Sequence, residues 1–461
     1  MPRVGGGWYD NELYCSIKLG NTRFLNDIHP RPGPTIIPRS EHGISRSNVS
    51  ENALKVLYRL KKSGFSAFLV GGGVRDLLLG LRHKDFDIAT DAHPEEIRKL
   101  FRNSRLIGRR FRLAHVRFGR DIVEVATFRA SGNGAGDDQR HSDSGRILRD
   151  NVYGAIDEDI WRRDFTVNAL YYNIADHTVW DYTGGMDDIR SRTLRLIDDP
   201  WVRCREDPVR MLRAVRFAAK LGFTIAPETA ASIRDLGPLL PDVPAARLFD
   251  ETLKLFHSGH GVASFEKLVE YDLLPYLFPS AATLIRADEC EKVAEFIRKG
   301  LANTDARVAE GSSITPMFLY AVFLWPGVRH LAESLSKDQN VREYEAMQEA
   351  MYRIVAEQSA RTSLPKRFSV PMKEVLALQR RFTNRRGVRA ARLLEHKRFR
   401  AAYDFLVLRS RCGEVDSEVA DWWTKIQDAD EEGRREAFEI GKRSRRRRRP
   451  RRRNRQNQPT D

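Results

Sequence analysis

Phe68-Leu69-Val70-Gly71-Gly72-Gly73-Val74-Arg75-Asp76, followed shortly by Lys84-Asp85-Phe86-Asp87, is the stretch on which the fold turns. Phe65 to Val70 is a short apolar run ending at three glycines, and Val74 to Leu79 then reads as a helix closed by Gly80. A strand–glycine–helix joint lets the backbone approach an anion closely and turns unpaired helix N–H groups toward it. Gly71, Gly72 and the charge of Arg75 are therefore expected to receive a triphosphate. Asp85-Phe86-Asp87 is expected to be strand, with both carboxylates on one face because side chains alternate with a period of two. Carboxylates that close repel each other unless a cation lies between them, and a shared pair of divalent metals is the common solution in nucleotidyl transfer. A lone Asp-x-Asp is ordinary on a solvated strand or turn; behind a glycine loop it predicts a nucleotidyl-transfer site. No Gly-x-x-x-x-Gly-Lys-Ser/Thr loop follows, and the glycine spacing is not the dinucleotide fingerprint.

Outward from this stretch, Ser50 offers N-cap chemistry for a helix carrying Leu54, Val56, Leu57 and Leu60, and Pro94 opens a second helix through Phe101. Two β-like runs follow, Ala114 to Phe118 and Ile122 to Phe128, with Arg109, Arg110 and Arg112 just before them as candidate RNA contacts. Glu124 lies in the second run, where it is either a third metal carboxylate beside Asp85 and Asp87 or a cross-strand surface partner. Residues 131 to 149 are dense in Gly, Ser and Asp and are expected to form a mobile loop. In Arg162-Arg163-Asp164-Phe165-Thr166-Val167-Asn168, charges stand amid apolar residues and need partners: a phosphate for Arg163, a metal or structural contact for Asp164. In Arg205-Glu206-Asp207-Pro208-Val209-Arg210, Asp207 and Pro208 are expected to open a helix that Gly222 closes. At 100° per residue Met211, Leu212, Val215, Ala218 and Ala219 fall on one side while Arg210, Arg213 and Arg216 fan over the other, an invitation to an anion. Asp207 as acceptor and Arg210 as donor could together read the polar edge of a base.

A chain of 461 residues exceeds what one core usually supports. The expected division is a flexible leader (1–47), a head (48–190), a helical neck (191–262), a helical body (263–440) and an arginine-rich tail (441–461). The net charge is +16, and eleven cations without an acid fall between Lys442 and Arg455. Such a run cannot bury a core and reads as a disordered arm for a polyanion, with Arg445, Arg446, Arg447, Arg448, Arg449, Arg451, Arg452 and Arg453 as RNA contacts. Cys15, Cys204, Cys290 and Cys412 are too dispersed for a disulfide framework or a zinc site, which fits a reducing cytoplasm. No apolar run is expected to span a membrane, and the first residues lack a secretory core.

The motifs Val70-Gly71-Gly72-Gly73-Val74-Arg75-Asp76, Asp85-Phe86-Asp87, Arg162 to Asn168 and Glu206-Asp207-Pro208-Val209-Arg210-Met211-Leu212-Arg213 together resemble the nucleotidyltransferases that extend RNA 3′ ends without a template. These comprise bacterial poly(A) polymerases and CCA-adding enzymes. Leu106 to Val116, Ile37 to Arg46 and the arginine tail resemble the poly(A) polymerase form, and no His-Asp phosphohydrolase signature occurs. The resemblance implies an α+β fold, with a mixed-sheet, palm-like nucleotidyltransferase head and all-α neck and body domains. It also implies transfer of AMP from ATP to RNA 3′ ends of messenger and small RNAs, with Mg²⁺ or Mn²⁺ as cofactor and pyrophosphate released. By position it assigns Asp85, Asp87 and Asp164 to catalysis, Gly72, Arg75, Arg163, Arg213 and Arg216 to the nucleotide, and Asp207 and Arg210 to base selection. A CCA-adding enzyme and a silent RNA-binding descendant are the alternatives. Retention of both metal aspartates with the phosphate arginines counts against the silent form. The first 35 residues match nothing in this pattern.

Overall fold

The computed structural model describes residues 31, 33–83, 85–108, 112–130, 139–141, 147–150, 152–287, 290–338 and 341–440. The expected head is an eight-stranded mixed sheet in the order β1-β10-β9-β2-β3-β6-β5-β4. Its strands are β1 (Thr35–Ile37), β2 (Ala67–Val70), β3 (Asp87–Thr90), β4 (Ser104–Ile107), β5 (Leu113–Phe118), β6 (Asp121–Thr127), β9 (Leu170–Asn173) and β10 (Val179–Asp181); β7 (Gln139–His141) and β8 (Ile147–Asp150) form a separate hairpin. Only β3 and β6 run parallel within the large sheet.

Alternation along the central strands separates two faces. Leu69, Ile88, Val125 and Tyr172 enter the main core beneath helix α1 (Glu51–Lys62), whose Ala53, Val56, Leu57 and Leu60 are buried. The Ser50 hydroxyl caps α1 by accepting from the Ala53 amide at 3.2 Å. Phe68, Val70, Ala89 and Tyr171 belong to a second, smaller core on the opposite face, the face on which Asp87 and Glu124 also fall. Helix α2 (Gly72–Leu78) follows β2, and α3 (Pro94–Leu100) follows β3.

Past the short helices α4 (Ile156–Ile160) and α5 (Gly185–Arg190), the chain becomes helical. α6 (Pro200–Glu206), α7 (Val209–Leu221), α8 (Pro227–Leu236) and α9 (Ala245–Phe256) form the neck. One two-stranded parallel ribbon, β11 (Thr193–Leu194) with β12 (Thr224–Ile225), interrupts it. Helices continue to Ala437, and Leu248, Phe249 and Phe256 are core residues. No helix among the described residues is long and apolar enough to cross a membrane.

Three expectations change. β1 pairs with β10 and buries Ile37, so the expected leader contributes a strand to the head before residue 48. Within the expected loop of 131–149, β7 and β8 pair as a hairpin, since backbone hydrogen bonding needs no apolar side chains. α2 begins two residues earlier than expected because Gly71, at φ +70°, makes the turn alone and frees Gly72 and Gly73 to enter the helix.

Candidate active site

β2 delivers the chain to Gly71, where an added Cβ would lie 3.7 Å from Asp87 Oδ2 and 3.8 Å from Arg163 Nη1. The glycine turn thus sits between a carboxylate and a guanidinium. At Gly73 a Cβ would stand 3.1 Å from the Phe86 ring, so α2 packs directly on the segment that carries the aspartates. Phe86 is buried while Asp85 and Asp87 face solvent. The expected one-faced display is achieved, although β3 starts only at Asp87 and Asp85 stands in the preceding loop. Among the described residues neither carboxylate has a hydrogen-bond or ion-pair partner.

Asp87 is in register with Val70 on β2 and with Glu124 on β6. Partial desolvation in this recess, then the charges of Glu124 and Asp85, push Asp87 up to about 6 even though its carboxylate reaches solvent. Glu124 itself is half exposed and 3.2 Å from His115 Nε2. Among the described residues no three acidic, His or Cys side chains are gathered at metal-holding spacing. Glu124 acts on Asp87 as a neighbouring charge, and the carboxylate pair is what faces the cavity.

The opposite wall is cationic. Arg163 donates through Nε to the Tyr171 hydroxyl (2.6 Å) and through Nη2 to Asp159 (3.0 Å), leaving Nη1 beside Gly71. Burial works against its charge, but Tyr171 and Asp159 outweigh it and hold the guanidinium protonated. Asp164 accepts from the Phe165 amide (2.8 Å), from Asn168 (3.1 Å) and from both Nε (2.8 Å) and Nη2 of Arg213. Burial alone would raise Asp164; Arg213 and these hydrogen bonds instead hold it at about 2. Its oxygens are occupied, so of the two sequence readings the structure displays the structural contact. Burial and the neighbouring guanidiniums of Arg129 and Arg203 pull Arg162 down to about 10, the mark of cations crowded beyond their counter-charge.

Arg75 does not project into solvent. α2 turns it inward, where Asp76 takes Nε and Nη2 at 2.8 and 2.6 Å, Asn168 takes Nη1, and Phe217 lies 5.1 Å beneath. Its charge is neutralised locally, and it ties the glycine helix to the Asp164 segment and to α7. The arginines of α7 do not fan over a solvated face, because most of that helix is buried. Arg210 turns back to the Arg203 carbonyl (2.7 Å) and Glu206 (2.9 Å). Arg216 lies over Phe217 with Glu251 at 4.0 Å and does not line the cavity. Asp207 ends α6 and accepts from the Val209 amide at 3.3 Å, while Arg247 clamps it from α9 at 2.8 and 2.7 Å. Gly222, at φ +67°, closes α7 as expected.

Arg247, Asp159, Tyr171, Arg203 and Lys220 complete the site without having been singled out from sequence. Glu206 and Arg210 stand at helical spacing, but Arg247 lies forty residues from Asp207 and no local pattern joins them. Arg112 is exposed and paired with Glu95 at 2.8 Å; Arg109, Arg110 and the tail arginines lie outside the described residues.

These groups enclose a cavity of about 570 Å³, the size of a small-ligand site. Seven of its lining residues are Arg or Lys, against Asp85, Asp87, Asp164 and Asp207. The excess of positive charge suits a polyanionic ligand.

Comparison with known proteins agrees with this architecture. Residues 67–195 match the poly A polymerase head domain, 222–285 the probable RNA and SrmB-binding site of polymerase A, and 339–457 the polymerase A arginine-rich C-terminus. Poly(A) polymerase I of Escherichia coli O157:H7 is 49% identical over 403 residues, covering 86% of each chain. The CCA-adding enzyme of Geobacillus stearothermophilus is 37% identical but covers 49% of this chain and 54% of its own. A solved tRNA-processing enzyme in its apo form shares the fold at a TM-score of 0.58 and 23% identity, over 86% of this chain and all of its own. The similarity to poly(A) polymerase I runs through head, neck and body, whereas that to the CCA-adding enzyme stops at about half. The chain belongs to the poly(A) polymerase I family, nucleotidyltransferases that add AMP from ATP to RNA 3′ ends.

Proposed function

We propose that the cavity binds ATP with its phosphates between the Gly71–Gly72 turn and the guanidiniums of Arg163 and Arg213, and that Asp85 and Asp87 hold Mg²⁺ or Mn²⁺ there. The observation that carries this is the juxtaposition, across one cavity, of two carboxylates without partners among the described residues and a wall of fixed cations. The donor set fits a hard divalent ion: Mg²⁺ is commonly held by one or two carboxylates together with substrate phosphates, and this pair repels itself without a cation. When bound, such an ion supplies Lewis-acid stabilisation of the charge developing at the α-phosphate.

The chain's own residues do the positioning. Arg163 is held by Tyr171 and Asp159, so its free Nη1 meets a phosphate with little reorganisation. Asp164 serves as a positioning residue that fixes Arg213. Arg75, tied to Asp76 and Asn168, stiffens the turn rather than lending net charge. Attack by the RNA 3′ hydroxyl on the α-phosphate and departure of pyrophosphate then take place between carboxylates and guanidiniums. Glu124 tunes the aspartate pair, and Arg216 supports Phe217 from below. Messenger and small RNAs are the proposed substrates, with Arg112 and the basic tail as contacts. A cytoplasmic setting fits the free thiols of Cys204 and Cys412.

Base choice falls to Asp207 and Arg210, both at the cavity wall and each fixed by a separate partner, Arg247 and Glu206. Arg210→Ala is expected to reduce the preference for ATP over CTP by about 1 to 3 kcal/mol, the scale of one base-edge pairing. The ratio of kcat/KM for the two nucleotides measures it. Unchanged discrimination with an unchanged ATP rate would refute the assignment.

A further inference from the structure

Between Arg380 and Arg400 the sequence places eight arginines and Lys397 against a single acid, Glu395. This segment carries +8. Removing it and the eleven cations of residues 442–455 from the total of +16 leaves the remainder of the chain at −3. The positive charge of the folded part is thus concentrated in 21 residues.

The segment is ordered structure: a 3-10 helix (Gln379–Thr383), a helix (Gly387–Leu394) and the start of the helix Phe399–Arg411. Phe382, Ala390, Leu393 and Phe399 are buried, so apolar residues turn inward. Arg381, Arg386, Arg389 and Arg392 are exposed and Arg385 is half-buried. Arg380, Arg386, Lys397, Arg398 and Arg400 have acidic partners. Among the described residues Arg381, Arg385, Arg389 and Arg392 have none. Arg389 and Arg392 stand three apart on one helix, where like charges disfavour the helix, and Arg385 and Arg386 precede the helix N-terminus, where the dipole disfavours cations. An external polyanion removes both penalties.

The chain also returns here. The Gly387 amide donates to the Phe438 carbonyl at 2.6 Å, and Arg386 pairs with Glu439 at 3.0 Å. The described residues end at Ile440, beside this face and two positions before the arginine run of the sequence.

We propose that the Arg381–Arg385–Arg389–Arg392 face is a folded binding surface for the phosphate backbone of RNA, engaging the strand upstream of the 3′ end held in the head. It lies outside residues 222–285, which match the probable RNA-binding site. Arginine forks are matched to phosphate oxygens. The face displays a single exposed large apolar side chain, Val388, rather than the apolar patch that a protein or membrane partner would require.

The test uses the full chain carrying R385Q, R389Q and R392Q together, titrated with a long single-stranded RNA oligomer over a range of salt. The log–log slope is expected to fall by about 2, at about 0.7 for each phosphate left unneutralised. The triple Arg→Lys variant should keep the parent slope. If the triple Gln variant melts early, the three single variants carry the test, each expected to lower the slope by about 0.7. An unchanged slope overturns the proposal, as does weakened binding to polyglutamate or anionic vesicles with RNA binding intact. The readout requires no catalysis, so it is independent of the assignments in the head. Adenylation of an oligomer too short to reach this face should be equal in parent and variant.

Discussion

Asp85→Ala and Asp87→Ala are each expected to abolish nucleotide addition while leaving the fold intact. Neither carboxylate has a partner among the described residues, so truncation removes no internal hydrogen bond or ion pair, and Phe86 remains to anchor the segment beneath α2. Loss of one metal-holding carboxylate should cost about 4 kcal/mol of transition-state stabilisation, roughly a thousandfold in rate. Single-turnover extension of an RNA oligomer measures the rate, and thermal melting with and without Mg²⁺ measures the site. The parent should melt higher when Mg²⁺ and ATP are present, and either variant should lose that increment. Near-parental rates in a purified variant would remove the metal assignment.

Asp164→Ala should behave in the opposite way, failing in stability as well as in activity. Its carboxylate is saturated by Arg213, Asn168 and the Phe165 amide, and its removal leaves Arg213 unpaired. Breaking a buried pair from one side costs about 3 to 5 kcal/mol; about 3 is expected here because Arg213 is nearly a third exposed. The pH dependence has a definite sign. Asp164 is depressed to about 2 from an ordinary 3.8, so its contribution is fully present above about pH 4 and is lost as pH falls through 2. That shift is worth roughly 2 kcal/mol. Urea denaturation at pH 7 and pH 3 should show a smaller difference between parent and variant at the lower pH. Parental stability with lost activity would return Asp164 to a direct chemical role.

The contrast between these aspartates marks where the sequence is readable. The solvent-facing display of Asp85 and Asp87 was legible because it follows from local facts: a period-two alternation, a glycine turn and no competing partner among the described residues. Gly71, Gly222 and the Ser50 cap were legible for the same reason, since each solves a backbone problem within a few residues. Arg75 was visible as a charge, but its role depends on Asn168, far along the chain, and on the neighbouring Asp76. Arg247 was silent, because its meaning arises only when α9 packs beside the start of α7 and meets Asp207. Strands β1, β7 and β8 were missed because each is only three or four residues long and draws its stability from ladder pairing, which composition does not report.

If this chain lengthens generic RNA 3′ ends with adenylate, the sequence of its products will show it. Purified protein is given all four ribonucleoside triphosphates with Mg²⁺, an unstructured RNA oligomer, and a tRNA lacking its 3′ terminus. A long, heterogeneous run of A is expected on the oligomer. Addition of C-C-A to the tRNA with the oligomer left untouched would contradict it.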